Sequence, residues 1–264
     1  MKVMKPMVSI LIVSFNSQKE LKSCVRSIKK TSPKISYEII LRDNTKDNIG
    51  YGAGNNKTAK KALGKYLFIL NPDTVVHKNT IDNLVAYLES HKDAGIAAPQ
   101  LFDKNGKFYL QLGVGKLDVF TGIVVLSFLN KIFPKNYVSQ KYWGVNRNWD
   151  INQKVETVAG SAFMIRKKLF EKVNGFDENF FLYFEEVDLC NRVRKLNINI
   201  VILPNAKITH FWGKNKKGSH KLKSFFEKSR FYYFKKNYGV LPAILVGGVA
   251  RIGKSRLWGA KRPR

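Results

Sequence analysis

Tyr66-Leu67-Phe68-Ile69-Leu70-Asn71-Pro72-Asp73 is the stretch on which the fold reading turns. Five residues apolar on both faces read as a strand covered from two sides, and polar residues follow at once. The same design occurs twice upstream. An apolar run over residues 8–13 ends in Ser14-Phe15-Asn16, and one over 37–41 ends in Arg42-Asp43-Asn44. Helical spacing separates such runs: Leu21, Cys24, Val25 and Ile28 share one face, and Ile81, Leu84, Val85 and Leu88 another. Strands of this kind joined by helices predict an α/β fold with a mostly parallel central sheet and helices on both faces. In open α/β sheets ligands gather beyond the carboxyl ends of the strands. Asp and Asn also favour turns and helix starts, but three polar strand ends mark one functional rim.

Working outward, a Gly-rich loop is expected over residues 48–56, where glycines let backbone approach a ligand, followed by a Lys-studded helix over 57–63. A fourth strand is expected at 96–98. Residues 102–152 are less regular and read as an insertion. Strands are expected at 156–159, 162–166, 198–203 and 207–211, and helices at 185–196 and 222–238. The glycines of 50–54 do not match a dinucleotide fingerprint, because Lys57 stands where the third glycine belongs; no P-loop pattern occurs either.

The chain has 264 residues, a size for one large domain with an appendage. Lys and Arg number 47 against 19 acids, a formal charge of +28, which calls for anionic partners. Two cysteines, Cys24 and Cys190, exclude a disulfide framework and a Cys-rich zinc site, and both read as small buried residues. The N-terminal run resembles a signal peptide, but Pro6 interrupts its flank and no small-residue cleavage site follows, so a buried first strand is the better reading. No apolar run reaches the ~18 residues of a membrane span. Shorter runs occupy residues 119–129 and 240–250, and the second leads into Arg251, Lys254, Arg256, Lys261, Arg262 and Arg264. Residues 205–264 hold 16 Lys or Arg and one acid, Glu227. Apolar residues beside basic ones suit attachment to an anionic leaflet; the plain alternative is a solvated basic tail.

Two further constellations carry chemistry. Glu185, Glu186 and Asp188 follow the aromatic run Phe180-Phe181-Leu182-Tyr183-Phe184 and open a helix. Part of this is ordinary helix capping, and Asp188 with Arg192 is an i,i+4 ion pair. Glu185 and Glu186 are adjacent and point to different faces, so one can serve the fold while the other acts as a general base. His210 ends an apolar strand. Alone it would be structural; beside Asp73 it becomes a second protein ligand for Mn²⁺ or Mg²⁺, with a diphosphate completing the shell.

Taken in order, these motifs resemble those of family 2 glycosyltransferases. They are Val13-Ser14-Phe15-Asn16, Asp43-Asn44, Asn48-Ile49-Gly50-Tyr51-Gly52-Ala53-Gly54-Asn55-Asn56, Leu70-Asn71-Pro72-Asp73, Ala159-Gly160-Ser161-Ala162, the run from Gly175 to Leu189, and Thr209-His210. The closest likeness is to the bacterial rhamnosyltransferase-like branch, over residues 7–214. The resemblance implies a GT-A fold, with a nucleotide-binding half over residues 1–100, an acceptor half over 101–215 and a basic helical region over 216–264. It implies a nucleotide-diphosphate sugar donor (dTDP-rhamnose or a UDP-sugar), a divalent metal, and inversion at the anomeric carbon.

By position, the resemblance assigns Ser14 and Asn16 to the nucleotide pocket and Asp43 to the base. Asn55 then lies beside the nucleotide or sugar, and Gly160 and Ser161 form a loop by the donor sugar. Asp73 matches the last acid of the Asp-x-Asp metal motif, His210 the later metal-binding His, and Glu186 the catalytic base with Glu185 its neighbour. Two positions depart from the pattern: Asn71 replaces the first Asp of Asp-x-Asp, and Glu186 stands where Asp is commoner, which leaves open which Glu does the chemistry. Family acceptors are often glycans or polyprenyl-diphosphate-linked sugars, so a peripheral location on the cytoplasmic face of an anionic membrane is expected. The rival readings are a catalytically inactive scaffold and a nucleic-acid binder using the Phe and Tyr residues of 225–238. The second leaves the strand-end motifs and the Glu pair unexplained, so no nucleic acid is expected.

Overall fold

β1 (Val8–Ser14) is buried along its whole length, as a strand with neighbours on both edges and layers on both faces must be. It pairs parallel with β2 (Tyr37–Asp43) on one side and β3 (Tyr66–Leu70) on the other. α1 (Gln18–Thr31) makes the first crossover and buries Cys24 and Ile28. The computed structural model of the protein describes residues 5–110, 113–127, 129–133, 135–211 and 220–252. Trp212, Gly213, Lys254, Arg256, Lys261, Arg262 and Arg264, on which part of the sequence reading rested, lie outside them.

Beyond β3 the chain forms β4 (Thr74–Val76), α3 (Thr80–Ser90), β5 (Ala94–Phe102) and β6 (Phe108–Tyr109). Three short helices follow, α4 (Val119–Val125), α5 (Leu129–Ile132) and α6 (Tyr137–Trp143), then β7 (Gln153–Val155), β8 (Ala162–Arg166) and α7 (Lys167–Lys172). α8 (Glu185–Arg194), β9 (Asn199–His210), α9 (His220–Tyr238) and α10 (Val240–Ile252) complete the described chain. The sheet runs β2-β1-β3-β8-β5-β9-β4, with β6 on β5 and β7 on β9. The expected parallel strands are present as β2-β1-β3 and β5-β9. β8 joins the two groups antiparallel to both β3 and β5, so the sheet is mixed.

Alternation along the central strands fills both faces. Ile10, Ile12, Phe68 and Met164 lie in one core, with Cys24 and Ile28 of α1 and Leu84 of α3. Leu11, Leu67, Ile69, Phe163 and Ile165 face the other, with Leu189 and Cys190 of α8. A third cluster gathers Leu117, Val125, Tyr142, Phe184, Tyr233, Phe234, Ala243 and Val246. Thus α9 and α10 share a core with α4, α6 and the start of α8. At the α4–α9 contact a Cβ on Gly122 would sit 2.5 Å from the Phe234 ring.

Four local expectations are corrected. Residues 51–56 are not loop: they open α2 (Tyr51–Ala59), which ends where the Lys-studded helix was expected to begin. The buried glycines there serve packing, since a Cβ on Gly54 would lie 2.9 Å from Val13 Cγ1 and one on Gly52 3.0 Å from Phe176 Cβ. The strand expected at 156–159 lies at Gln153–Val155. The two strands expected at 198–203 and 207–211 are one, β9, whose register against β5 shifts between Pro99 and Gln100. β4 has three residues and carried no periodic signal.

Gly50 caps α2 at φ +93°, and a Cβ there would meet the Phe181 carbonyl oxygen at 2.7 Å. The Tyr51 N–H donates to that same oxygen at 3.0 Å. Gly50→Ala is therefore expected to lower stability by about 1–3 kcal/mol, read as an earlier urea midpoint with an unchanged slope.

Candidate active site

Strand register assembles the site. Thr74 of β4 pairs antiparallel with His210 of β9, and the Phe211 N–H donates to the Asp73 carbonyl at 2.9 Å. This brings Asp73 Oδ1 to 3.2 Å from His210 Nε2. His210 is 3% exposed. Its other ring nitrogen, Nδ1, lies 2.9 Å from the Tyr109 hydroxyl.

Next to it, β3 pairs with β8 as far as Leu70↔Ala162, and the Asn71 N–H donates to the Ser161 carbonyl at 2.8 Å. The loop Gly160–Ser161 is thereby held against the end of β3. Asn71 Oδ1 and Ser161 Oγ are buried and have no hydrogen-bond partner among the described residues. On the other side of this loop, a Cβ on Gly160 would lie 3.5 Å from Glu186 Cβ and Cδ. Gly160 also accepts a hydrogen bond from the Tyr51 hydroxyl. Burial raises the Tyr51 phenol well above its usual range, and the charges of Glu185, Glu186 and Asp73 push it the same way. The hydroxyl of Tyr51 thus stands where the Asp73 side and the Glu185–Glu186 side of the site meet.

Glu185 is buried, and Glu186 beside it is half-buried. Desolvation first, then the Glu186 charge, pushes the Glu185 carboxyl well above the usual carboxylate range. Desolvation raises Glu186 to about 7, against the backbone amides of Glu186, Val187 and Gly160, which lower it. One oxygen of each, Oε2, is buried without a partner. Two adjacent carboxyls in such a place share a proton, because both cannot ionise cheaply. The two differ in setting, Glu185 sealed in the protein and Glu186 in part accessible, as the sequence reading expected of adjacent residues that cannot share a face.

The turn that delivers them is strained and externally braced. Tyr183 and Phe184 sit at φ +72° and +68°, where non-glycine residues cost of order 1–3 kcal/mol each. α9 offsets this. The Phe226 ring lies 5.7 Å from Tyr183 and 5.3 Å from Phe184, Tyr233 lies 5.6 Å from Phe184, and Ser229 Oγ donates to the Leu182 carbonyl at 2.8 Å. Aromatic pairs contribute about 0.5–1.5 kcal/mol each beyond burial, enough together to hold the turn. Lys236 of α9 pairs with Asp177 and with fully buried Asp188, each at 2.8 Å, and the expected Asp188–Arg192 pair is present at 2.7 Å. Burial raises Asp177, yet Lys236, Asn179 and Tyr232 outweigh it and lower the carboxyl to about 2. Phe226 and Tyr233 of α9 are taken up by this brace, while Phe231 is 40% exposed.

At the first rim, Ser14 and Asp43 are register partners. Ser14 is buried, with its hydroxyl 3.4 Å from the Arg42 carbonyl. Asp43 is exposed and accepts from the Thr45 N–H at 2.8 Å and from Gln18 Nε2 at 3.3 Å; the Thr45 hydroxyl and N–H hold its carboxyl below its ordinary value. Asn16 adopts φ +49° and donates its N–H to Thr45 Oγ1. Asn55, inside α2, donates to the Tyr51 carbonyl at 3.0 Å and leaves Oδ1 buried without a partner. A groove beside Asp43 is lined by Arg42, Lys57, Lys60 and Lys61. Asp73 contacts His210, and the Gly160–Ser161 loop bridges from Asn71 to Glu186 and Tyr51; Ser14, Asn16 and Asp43 form a neighbouring group at the ends of β1 and β2.

The donor set at Asp73 fits a divalent cation. Bonds of about 2.1 Å to an octahedral ion set adjacent ligands about 3.0 Å apart, close to the 3.2 Å seen between Oδ1 and Nε2. Partnerless Asn71 Oδ1 stands two residues away in sequence. Among the described residues no three His, Cys, Asp or Glu side chains converge on one point, so ligand oxygens would have to complete the shell. Tyr51 and Tyr109 are the site residues that sequence reasoning missed. Tyr51 lies inside a quoted motif; Tyr109 has no local signal.

The glycosyl transferase family 2 model matches residues 42–174, half of the chain, and the model for the N-terminal domain of galactosyltransferase matches 141–214. The chain is 26% identical to rhamnosyltransferase WbbL of Escherichia coli, over 89% of this chain and 92% of that protein. It is 28% identical to the N-acetylglucosaminyl-diphospho-decaprenol L-rhamnosyltransferase of Mycobacterium tuberculosis, over 62% of this chain but only 56% of that one. Among solved structures, GalNAc-T7 crystallised with UDP, GalNAc and Mn²⁺ superposes with a TM-score of 0.60 at 17% identity, over 96% of this chain and 54% of that chain. S. aureus TarS gives 0.54 at 13%, over 92% of this chain and 42% of its own. The fold is thus that of the GT-A glycosyltransferases, and the chain belongs to glycosyl transferase family 2 as a glycosyltransferase with rhamnosyltransferases among its relatives.

Proposed function

We propose that the protein is an inverting transferase that moves a sugar, rhamnose in the favoured reading, from a nucleotide-diphosphate donor to a glycan or polyprenyl-diphosphate-linked acceptor. The observation that carries this is the Asp73–His210 contact at the end of β9 together with the Gly160 loop, which touches Tyr51 and Glu186 on one side and leads through Ser161 to Asn71 on the other. Ser14, Asn16 and Asp43 hold the nucleoside, with residues 1–100 serving the donor and 101–215 the acceptor. Asn55, Gly160 and Ser161 line the sugar, and Arg42, Lys57, Lys60 and Lys61 supply positive potential beside Asp43.

Asp73 and His210 would hold Mn²⁺ or Mg²⁺, with Asn71 Oδ1 beside them; the ion, when bound, offsets charge growing on the leaving diphosphate. GalNAc-T7, crystallised with UDP and Mn²⁺, supports this by likeness of fold. Glu186 takes the proton of the acceptor hydroxyl as that oxygen bonds to the anomeric carbon and the bond to the diphosphate breaks, inverting the centre. Glu185 keeps the shared proton and leaves Glu186 as the ionised member. The two named rhamnosyltransferases support the donor class.

Association with an anionic membrane on its cytoplasmic face is part of the same reading. No helix of the described residues is long and apolar enough to cross a membrane. α10 buries Ala243, Val246 and Ala250, but Val240, Leu241, Ile244 and Leu245 remain 49%, 79%, 56% and 51% exposed. An apolar helix half out of its core wants a second apolar neighbour. Phe120, on the α4 helix against which α10 packs, is 65% exposed as well.

Three outcomes are expected. Glu186→Gln lowers kcat at least 10²-fold while dTDP or UDP binding persists, and wild-type kcat rises with pH through about 7 as Glu186 ionises; near-normal turnover in the variant removes Glu186 from the role. Raised carboxyl pKa values make the folded state lose stability as pH rises through them, so Glu185→Gln should raise the melting midpoint at pH 8 and change it little at pH 5. Leu241→Glu with Ile244→Glu should abolish sedimentation with phosphatidylglycerol vesicles and spare donor hydrolysis; undiminished binding rules out α10 as the attachment face. A panel of dTDP-rhamnose, UDP-glucose, UDP-galactose, UDP-GlcNAc and GDP-mannose identifies the donor by metal-dependent hydrolysis.

A further inference from the structure

Tyr109 is held over His210 with more structure than packing alone explains. It lies on β6, which folds back on β5 with Leu101↔Tyr109 and Phe102↔Phe108 in register. β5 in turn pairs parallel with β9, placing Leu101 opposite Ile208 and Phe102 opposite Thr209. The hairpin between is closed by Asp103 Oδ1, which accepts from the N–H groups of Asn105 and Lys107 at 2.9 Å each. Phe108 wedges between Phe102, at 6.0 Å, and Trp149, at 5.5 Å. A short, well-anchored arm therefore sets one hydroxyl 2.9 Å from Nδ1 of a buried histidine, whose opposite nitrogen faces Asp73.

A neutral imidazole has one N–H, and the two sides of His210 compete for it. Asp73 only accepts, so without a cation the 3.2 Å contact requires the proton on Nε2. A cation held by Nε2 needs that lone pair free, which moves the proton to Nδ1. The partner on the Nδ1 side must then serve both forms. A carboxylate there could only accept, and would favour Nδ1–H permanently. A phenol both donates and accepts.

We propose that Tyr109 is a positioning residue that serves both tautomers of His210, donating its O–H to Nδ1 when Nε2–H bonds Asp73, and accepting from Nδ1–H when Nε2 turns to a divalent cation. This rests on the reading of Asp73 and His210 as the metal pair. The exchange is balanced: the ring loses the proton on Nε2 to water, gains one from water on Nδ1, and stays neutral. Tyr109 keeps its own proton and only rotates the hydroxyl. The arm also stops the ring from turning away from Asp73 in either state.

The test uses the full chain with Mn²⁺ alone as the probe, read by electron paramagnetic resonance of the free ion. Groups that orient a metal-bound histidine are typically worth 10–100-fold in metal affinity, so Tyr109→Phe should weaken Mn²⁺ binding by about that factor. Its melting midpoint should fall modestly, as one buried hydrogen bond is lost, but its metal-free binding of UDP or dTDP should match wild type, which a merely structural role would not predict. In ¹⁵N-histidine spectra of the wild type, His210 should be the Nε2–H tautomer without metal and the Nδ1–H tautomer with saturating Mg²⁺. Unchanged Mn²⁺ affinity in Tyr109→Phe, or a His210 tautomer that ignores Mg²⁺, overturns the proposal. His210→Ala separates the two levels: if it binds Mn²⁺ as well as wild type, the metal pair itself is wrong and the role of Tyr109 falls with it.

Discussion

The antiparallel pairing of three-residue β4 with the end of β9 is the constraint on which the site depends. It seats Thr74 opposite His210 and so joins an aspartate and a histidine 137 residues apart. A slip of one residue in that register would turn His210 to the other face of the sheet. The ladder is short, and it is secured at both ends: the Phe211 N–H bonds the Asp73 carbonyl, and the His77 N–H bonds the Lys207 carbonyl. The chemistry attributed to this centre needs two side chains at a separation set by one strand register. No flexible loop could hold it as tightly.

The carboxylate pair depends on a different device. Glu185 and Glu186 are set at the start of α8 by a turn that runs through two left-handed residues, and that turn is stable because α9 covers it. Helix α9 therefore braces the turn that carries the proposed base. The same helical pair leads through Gly239 into the half-exposed apolar face of α10. One continuous element thus connects the proposed membrane-facing surface to the proposed base, which keeps the acceptor's surface and the reacting carboxylate at a fixed spacing.

Charge and fold answer separate questions here. The excess of Lys and Arg, +28 overall, suits anionic partners and says nothing about topology. The described cations divide between structural work, as with Lys236 on Asp177 and Asp188, and open positions such as Lys57, Lys60 and Lys61 beside Asp43. Aromatic residues interleaved with lysines in α9 looked capable of stacking on bases; Tyr233 and Phe234 are instead fully buried.

Reading residues alone was enough for β1, β2, β3 and the middle of β5, because such short apolar runs need cover on both faces, but not for three-residue β4. It was enough for the family, whose motifs are ordered along the chain, and for the polar residues that stand at the ends of β1, β2 and β3. It failed where the deciding force is non-local. α2 begins inside a glycine-rich stretch because β1 and Phe176 leave room for nothing larger. β8 runs antiparallel between β3 and β5, an outcome of chain path rather than of composition. Tyr109 meets His210 only through two successive strand pairings. Periodicity records what one residue needs from its immediate neighbours, and it carries this protein as far as its elements. Which distant atoms face one another, and therefore which carboxyls share a proton and which ring nitrogen has a partner, is set by packing and register once the sheet has closed.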